Sequence, residues 1–295
     1  MEKDQLNIDE TTLTVDLSEA TDAVRDGSFE HAFNLLKIIL KDHPEHIDSL
    51  YLAAVSSRYL KKFDESQKYI EQLLIIAPDM GRAYQELGHL SRDMGDEEKA
   101  VVHYRQACEL NPALIAGWNF LYQYFVKNNN KPAADHALEQ INKLKSLPGV
   151  LLYIDQILNE GRLGMAEAKC RAFLKENPTH TYAMSLLSEI ANRLGYFDDA
   201  EFLLEKAVEF KPDDGDLRMK YASILRKKQK FAKTMEQVNI LCDKYPENLN
   251  YQAQKASEVM QNGDHEKAIT LLDNILSKNP YNFSTLTSKG HAQKT

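Results

Sequence analysis

The sequence predicts an all-α chain built as a solenoid of helix–turn–helix repeats, and three observations predict it. Seven of the nine prolines keep one period: Pro44, Pro78 and Pro112 stand 34 residues apart, and so do Pro178, Pro212, Pro246 and Pro280. The step from Pro112 to Pro178 is 66, two periods less two residues. Gly27, Gly95, Gly161, Gly195 and Gly263 each precede an alanine by five, namely Ala32, Ala100, Ala166, Ala200 and Ala268. Between these marks, apolar residues recur at helical spacing. A fixed period of this length is the signature of stacked supersecondary units, which grow by adding copies.

Each mark has a physical reason. The glycine ends a first helix, because only glycine takes a left-handed C-cap without strain. The alanine sits where two helices cross closely, and a larger side chain there would overpack the crossing by about 1–3 kcal/mol. The proline closes the second helix, since its ring and missing N–H do not fit a helical turn. Residues 81–114 are the clearest copy. Tyr84, Leu87 and Gly88 share one face of a first helix, and Ala100, Tyr104 and Ala107 share one face of a second.

With its aromatic, Leu-Gly, Ala, aromatic, Ala and Pro at these offsets, 81–114 resembles the tetratricopeptide repeat. That resemblance covers nearly the whole chain and implies a right-handed superhelix. It divides the sequence into an N-terminal tail, 1–12, and eight units: 13–46, 47–80, 81–114, 115–146, 147–180, 181–214, 215–248 and 249–282. A truncated ninth unit, 283–295, supplies one unpaired first helix, so the chain reads as a fragment of a longer protein. The eighth unit position, usually Gly or Ala, is Tyr122 in the fourth copy and Ile154 in the fifth. The fourth copy is also two residues short, with an Asn128-Asn129-Asn130 turn. A kink is therefore expected within 115–160.

Composition narrows the function. The formal net charge is −8, against a nucleic-acid surface, which needs clustered positive charge. No run of eighteen apolar residues and no basic-then-apolar leader occurs, so the expectation is a cytoplasmic protein that neither spans a membrane nor is secreted. Cys108, Cys170 and Cys242 are far apart and form no CxxC pair; they read as small buried hydrophobes. Trp118 reads as core. His43 and His46 beside Asp42 and Glu45 read as a solvated connector rather than a metal site. The run Arg226-Lys227-Lys228-Gln229-Lys230 reads as a solvated turn. No phosphate-binding glycine loop, HExxH or nucleophile elbow is present, so no catalytic residue and no cofactor is expected.

The resemblance implies that first helices line a concave groove, with unit positions two, five, nine and twelve facing it. Those positions give Tyr51, Val55 and Arg58, then Arg82, Gln85, His89 and Arg92, then Asn119 and Gln123. They continue with Leu151, Asp155 and Leu158, then Tyr182, Ser185, Glu189 and Asn192. Amide, aromatic and guanidinium groups suit an extended peptide. Arg58, Gln85, His89, Arg92, Asn119 and Gln123 are expected to form one polar strip, with Leu151 and Leu158 as an apolar step beside it. The Lys and Asn set by which chaperone-binding members hold a C-terminal carboxylate is not supplied here. The leading reading is a protein or peptide scaffold, with an open C-terminal end available for self-association.

A narrower resemblance covers 176–295. Leu187-Ser188-Glu189-Ile190-Ala191, Arg193-Leu194-Gly195, Asp199-Ala200-Glu201, Gly290-His291-Ala292 and Lys294-Thr295 are similar to the repeat region of bacterial tetratricopeptide-containing sulfotransferases. It implies the alternative that a sulfotransferase domain, using a phosphoadenosine sulfate donor, follows Thr295 and that these residues are its non-catalytic part.

Overall fold

The computed structural model describes residues 17–293. The expected tail at 1–12, residues 13–16 of the first unit, and Lys294 and Thr295 lie outside the described residues. Among the described residues there are seventeen helices and no strand. They are α1 (17–25), α2 (Phe29–Asp42), α3 (Ile47–Tyr59), α4 (Phe63–Ile76), α5 (Gly81–Asp93) and α6 (Glu97–Leu110). Next come α7 (Ile115–Lys127), α8 (Lys131–Lys145), α9 (Gly149–Asn159), α10 (Leu163–Glu176), α11 (Thr181–Arg193) and α12 (Phe197–Phe210). The last are α13 (Gly215–Lys227), α14 (Phe231–Lys244), α15 (Leu249–Gln261), α16 (His265–Lys278) and α17 (Phe283–Ala292). They form two compact units, Met1–Arg162 and Leu163–Thr295. The division falls just after the stretch where a kink was expected, and it leaves α9 in the first unit and α10 in the second.

One backbone device makes every turn from a first helix to a second. Gly27, Gly95, Gly161, Gly195 and Gly263 take φ of 78–85°, in the left-handed region. At the same place in the other three copies stand Lys61, Asn129 and Gln229, with φ of 60°, 55° and 57°. Three side-chain-bearing residues thus accept a conformation that glycine takes freely. Second helices end two residues before the periodic proline, with the C-cap between. His43, Ala77, Asn111, Lys211, Tyr245 and Asn279 are C-caps with φ between −127° and −140°. The proline ring pushes the residue before it out of the helical region. The next helix then starts on a polar cap: Asp214 accepts from the Leu217 N–H at 3.1 Å and Asn282 from the Thr285 N–H at 3.0 Å.

The crossing alanines Ala32, Ala100, Ala166, Ala200 and Ala268 are all fully buried. Ser66 and Thr234 take their place in two copies, also fully buried, and donate to the carbonyls of Ala54 at 2.9 Å and Lys230 at 3.2 Å. In the first unit Gly88 lets Tyr104 lie flat on α5; a Cβ at Gly88 would stand 2.9 Å from the ring. Tyr104, Leu121, Phe125 and Ala134 form one cluster, with Tyr122 and Trp118 packed against it. In the second unit Leu204, Tyr221 and Leu225 pack together. All three cysteines are buried, and burial pushes the thiols of Cys108 and Cys170 up to about 12 and about 11. They stay protonated and unreactive at neutral pH.

The basic turn is only partly solvated. Lys228 and Lys230 both bond Glu201, whose side chain is 10% exposed, with Lys230 Nζ at 2.6 Å and 2.7 Å from its two oxygens. Burial would raise that carboxyl, but the two lysines outweigh it and hold it below its ordinary range. The turn between α13 and α14 is therefore tied to α12 rather than free in solvent.

Candidate functional site

First helices of successive repeats touch within each unit: α5 contacts α3 and α7, α13 contacts α11, and α17 contacts α15. Matched positions on them therefore lie in rows. In the first unit the row begins with a buried ion pair. Arg58, 5% exposed, donates from Nε to Glu86, itself 4% exposed. It also donates from Nη1 to Asp93 Oδ2 at 2.7 Å. Its guanidinium stands 4.4 Å over the Tyr59 ring, which stacks on Phe29 at 4.1 Å. Burial pushes the Glu86 carboxyl up while Arg58 pulls it down. Arg58 was expected on an open strip; it is instead a strut between α3 and α5.

His89 is half-buried and meets Tyr104, whose hydroxyl is 2.6 Å from Nδ1. Burial and the nearby Arg58 and Arg92 lower its pKa to about 4, so the ring is neutral at pH 7. Arg92, 48% exposed, shares Asp93 at 3.0 Å. Asn119 is half-buried and Gln123 exposed on α7. Gln85 is half-buried, with its carbonyl oxygen enclosed and lacking a hydrogen-bond donor among the described residues.

The remaining expected residues lie elsewhere. Leu151 and Leu158 on α9 are 0% and 2% exposed, so they belong to the interior and form no step on an open surface. Asn192, in the second unit, accepts from Lys227 Nζ at 2.7 Å and donates to Glu189 at 3.3 Å. Ser185 beside it is buried and accepts from Lys220 Nζ at 2.7 Å. These contacts bridge α11 to α13.

Tyr51 is overlain by Arg82, whose guanidinium lies 4.5 Å from the ring centroid. Burial, then Glu86, pushes the Tyr51 phenol up to about 12. Arg82 holds Glu160, at the end of α9, with Nη2 at 2.7 Å from Oε2. Arg162 lies 3.6 Å from the same carboxylate and pairs with Asp48 in the first turn of α3. Asn111, buried in the connector before α7, donates to the Gln156 carbonyl at 3.4 Å, and Gln156 donates to the Ala113 carbonyl at 3.2 Å. The end of α9 thus crosses the starts of α3, α5 and α7. Glu86, Asp93, Asp48, Asn111, Glu160 and Arg162 were not expected in any site. Of these only Asp48 stands at an inner unit position and Asn111 carries no charge, so the sequence held little signal for them.

Among the described residues no group of three or more His, Cys, Asp or Glu could hold a metal ion, and no helix is long and apolar enough to cross a membrane. The sequence profile of the tetratricopeptide repeat family matches residues 81–114 and 182–214. The chain carries tetratricopeptide repeats. One matched repeat is the α5–α6 hairpin of the first unit and the other is α11–α12 of the second. Tetratricopeptide hairpins of this kind commonly mediate contacts between proteins.

Three solved structures are similar to parts of the chain or to most of it. One is Naa15/Naa10 bound to HypK-THB, at 18% identity and a TM-score of 0.41, covering 93% of this chain and 43% of that one. Another is the APC/C hetero-tetramer Cut9-Hcn1, at 14% and 0.41, covering 90% and 52%. The third is a tetratricopeptide repeat protein from Parabacteroides merdae, at 16% and 0.39, covering 96% and 99%. The chain spans about half the length of the first two.

Proposed function

We propose that this chain is an interaction scaffold that holds an extended protein segment against its first helices. His89, Arg92, Asn119 and Gln123 are the contacts in the first unit. The observation that carries this reading is the side-by-side contact of α3, α5 and α7, which sets equivalent polar side chains in one row. Arg58 and Glu86 brace that row from beneath, so the exposed Arg92 and Gln123 stand on a fixed support. Asn192 with Lys227 offers a second polar step on the other unit.

The test is a peptide-library selection against the full chain and against an Arg92→Ala, Asn119→Ala, Gln123→Ala variant. Arg58 is left intact because removing it would leave Glu86 buried and unpaired. Selected peptides should lose at least ten-fold in affinity for the variant. Hits that bind both proteins equally would move the binding surface elsewhere.

The residues that carry the likeness to sulfotransferase repeat regions include Leu187, Ile190, Ala191 and Ala200, and all four are buried. They serve the hairpin core, so the scaffold reading is the one the geometry supports. Self-association through α17, where Leu286 is 46% exposed, is the second partner mode of the scaffold. A sedimentation mass that stays monomeric up to high concentration would remove it.

A further inference from the structure

The first unit treats the end of its own α9 as it would treat a bound peptide. The contacts divide into two kinds. Asn111 donates its amide to the main-chain carbonyl of Gln156, and the Gln156 side chain donates to the main-chain carbonyl of Ala113. Only the first of these, to a main-chain carbonyl of the segment, is independent of the segment's side chains. The Glu160 carboxylate, 4% exposed, is then received between Arg82 and Arg162, with Tyr51 beneath the Arg82 guanidinium. That contact is specific for a carboxylate, because a planar guanidinium matches it in shape and charge. The partners lie on successive elements: Asp48 in the first turn of α3, Arg82 in the first turn of α5 and Asn111 at the C-cap of α6, just before α7. A segment laid across those three starts would meet the same groups in the same order.

The energetics favour exchange. A carboxylate and a guanidinium taken out of water lose hydration comparable to what they gain from each other, so a buried pair adds little net stability. One Glu160 oxygen, Oε1, also lacks a well-aligned hydrogen bond despite the nearby Arg82. An incoming carboxylate therefore replaces Glu160 at small net cost.

Resting on the scaffold reading above, we propose that Tyr51, Arg82 and Asn111 form a subsite for an acidic peptide segment. The chain fills this subsite with its own Glu160, whose carboxylate acts as an internal competitor while Ile157 and Leu158 stay in the core. A partner supplying a Glu or Asp carboxylate would displace it.

The test uses the full chain and a fluorescent peptide copying residues 149–162, read by anisotropy. The Glu160→Gln, Arg162→Ala double variant, which removes the resident carboxylate and one of the two guanidinium groups beside it but leaves Tyr51, Arg82 and Asn111 in place, should bind the peptide at least ten-fold more tightly than the wild type. The same peptide with glutamine in place of its glutamate should lose that gain, and so should the double variant after Arg82→Ala. Equal binding by wild type and double variant overturns the proposal, as does binding indifferent to the peptide's glutamate or to Arg82. A measurement on the unaltered protein guards against misfolding of the variants. Excess peptide should speed hydrogen exchange at the amides of Glu160, Gly161 and Arg162, which bond back to Gln156, Leu158 and Ile157. Unchanged exchange at saturating peptide also overturns it. Library hits that depend on Arg92 and Gln123, with no binding of the copied peptide, would sink this proposal and leave the scaffold reading standing.

Discussion

Lys61, Asn129 and Gln229 hold a left-handed backbone that costs a side-chain-bearing residue about 1–2 kcal/mol in general. Lys61→Gly and Gln229→Gly should each raise stability by about 0.5–1 kcal/mol, net of the extra freedom glycine gives the unfolded chain. Gly95→Ala should lower it by a similar amount, and urea denaturation reads all three. The sequence showed five of these turns through their glycines and two more through the runs Asn128–Asn130 and Arg226–Lys230, but it hid which residue is left-handed there, and the turn at Lys61, because local strain leaves no mark on hydropathy. Arg58→Ala strands Glu86, and a buried charge deprived of its partner costs about 3–5 kcal/mol. His89 gives a pH effect whose sign follows from burial. Its folded pKa, about 4, is below its ordinary 6.5, so acid protonates the unfolded chain first. Stability should therefore fall as pH drops from 6.5 towards 4, and His89→Gln, which keeps a hydrogen-bonding group for Tyr104, should flatten that part of the profile.

Among the elements, the crossings decide tolerance. Ala100 lies at 0% exposure where α6 meets α5, and Tyr104 sits a turn further along the same helix. Ala100→Trp should lower the denaturation midpoint far more than Val102→Ala, since Val102 is 64% exposed on the same helix. Equal shifts would contradict the packing register. The period made this legible, because crossings, turns and stops all repeat with the residues that cause them. It could not show that α9 would bury Leu151 and Leu158. A unit-by-unit reading assigns each position a direction from its copy number, whereas α9 carries a continuous apolar run, Val150 to Ile154, broken only by Tyr153. Nor could it show Arg82 meeting Glu160, 78 residues away, since that depends on how the repeats follow one another in space.

For the whole molecule, the division into two compact units has an optical consequence. Trp118 is the single tryptophan and belongs to the first unit. Its indole N–H donates to the Pro112 carbonyl at 2.9 Å, so its fluorescence reports that unit alone. Far-UV circular dichroism reports both. In urea the two signals should give midpoints that do not coincide, with fluorescence following only part of the helical change. Coincident curves would mean that the units unfold as one.

The contact of Asp48 with Arg162 joins residues 114 apart in a chain whose other bonds are mostly between neighbours. Repeat arrays can fold by nucleating anywhere and spreading to adjacent copies, because each contact closes only a short loop. In the first unit the contacts of Asp48 with Arg162 and of Arg82 with Glu160 close long loops, which the hairpin contacts do not. Refolding should accordingly show a fast phase in helical signal and a slower one carried by the closing of these loops. Arg162→Ala should change the rate of the slow phase while leaving the fast one untouched.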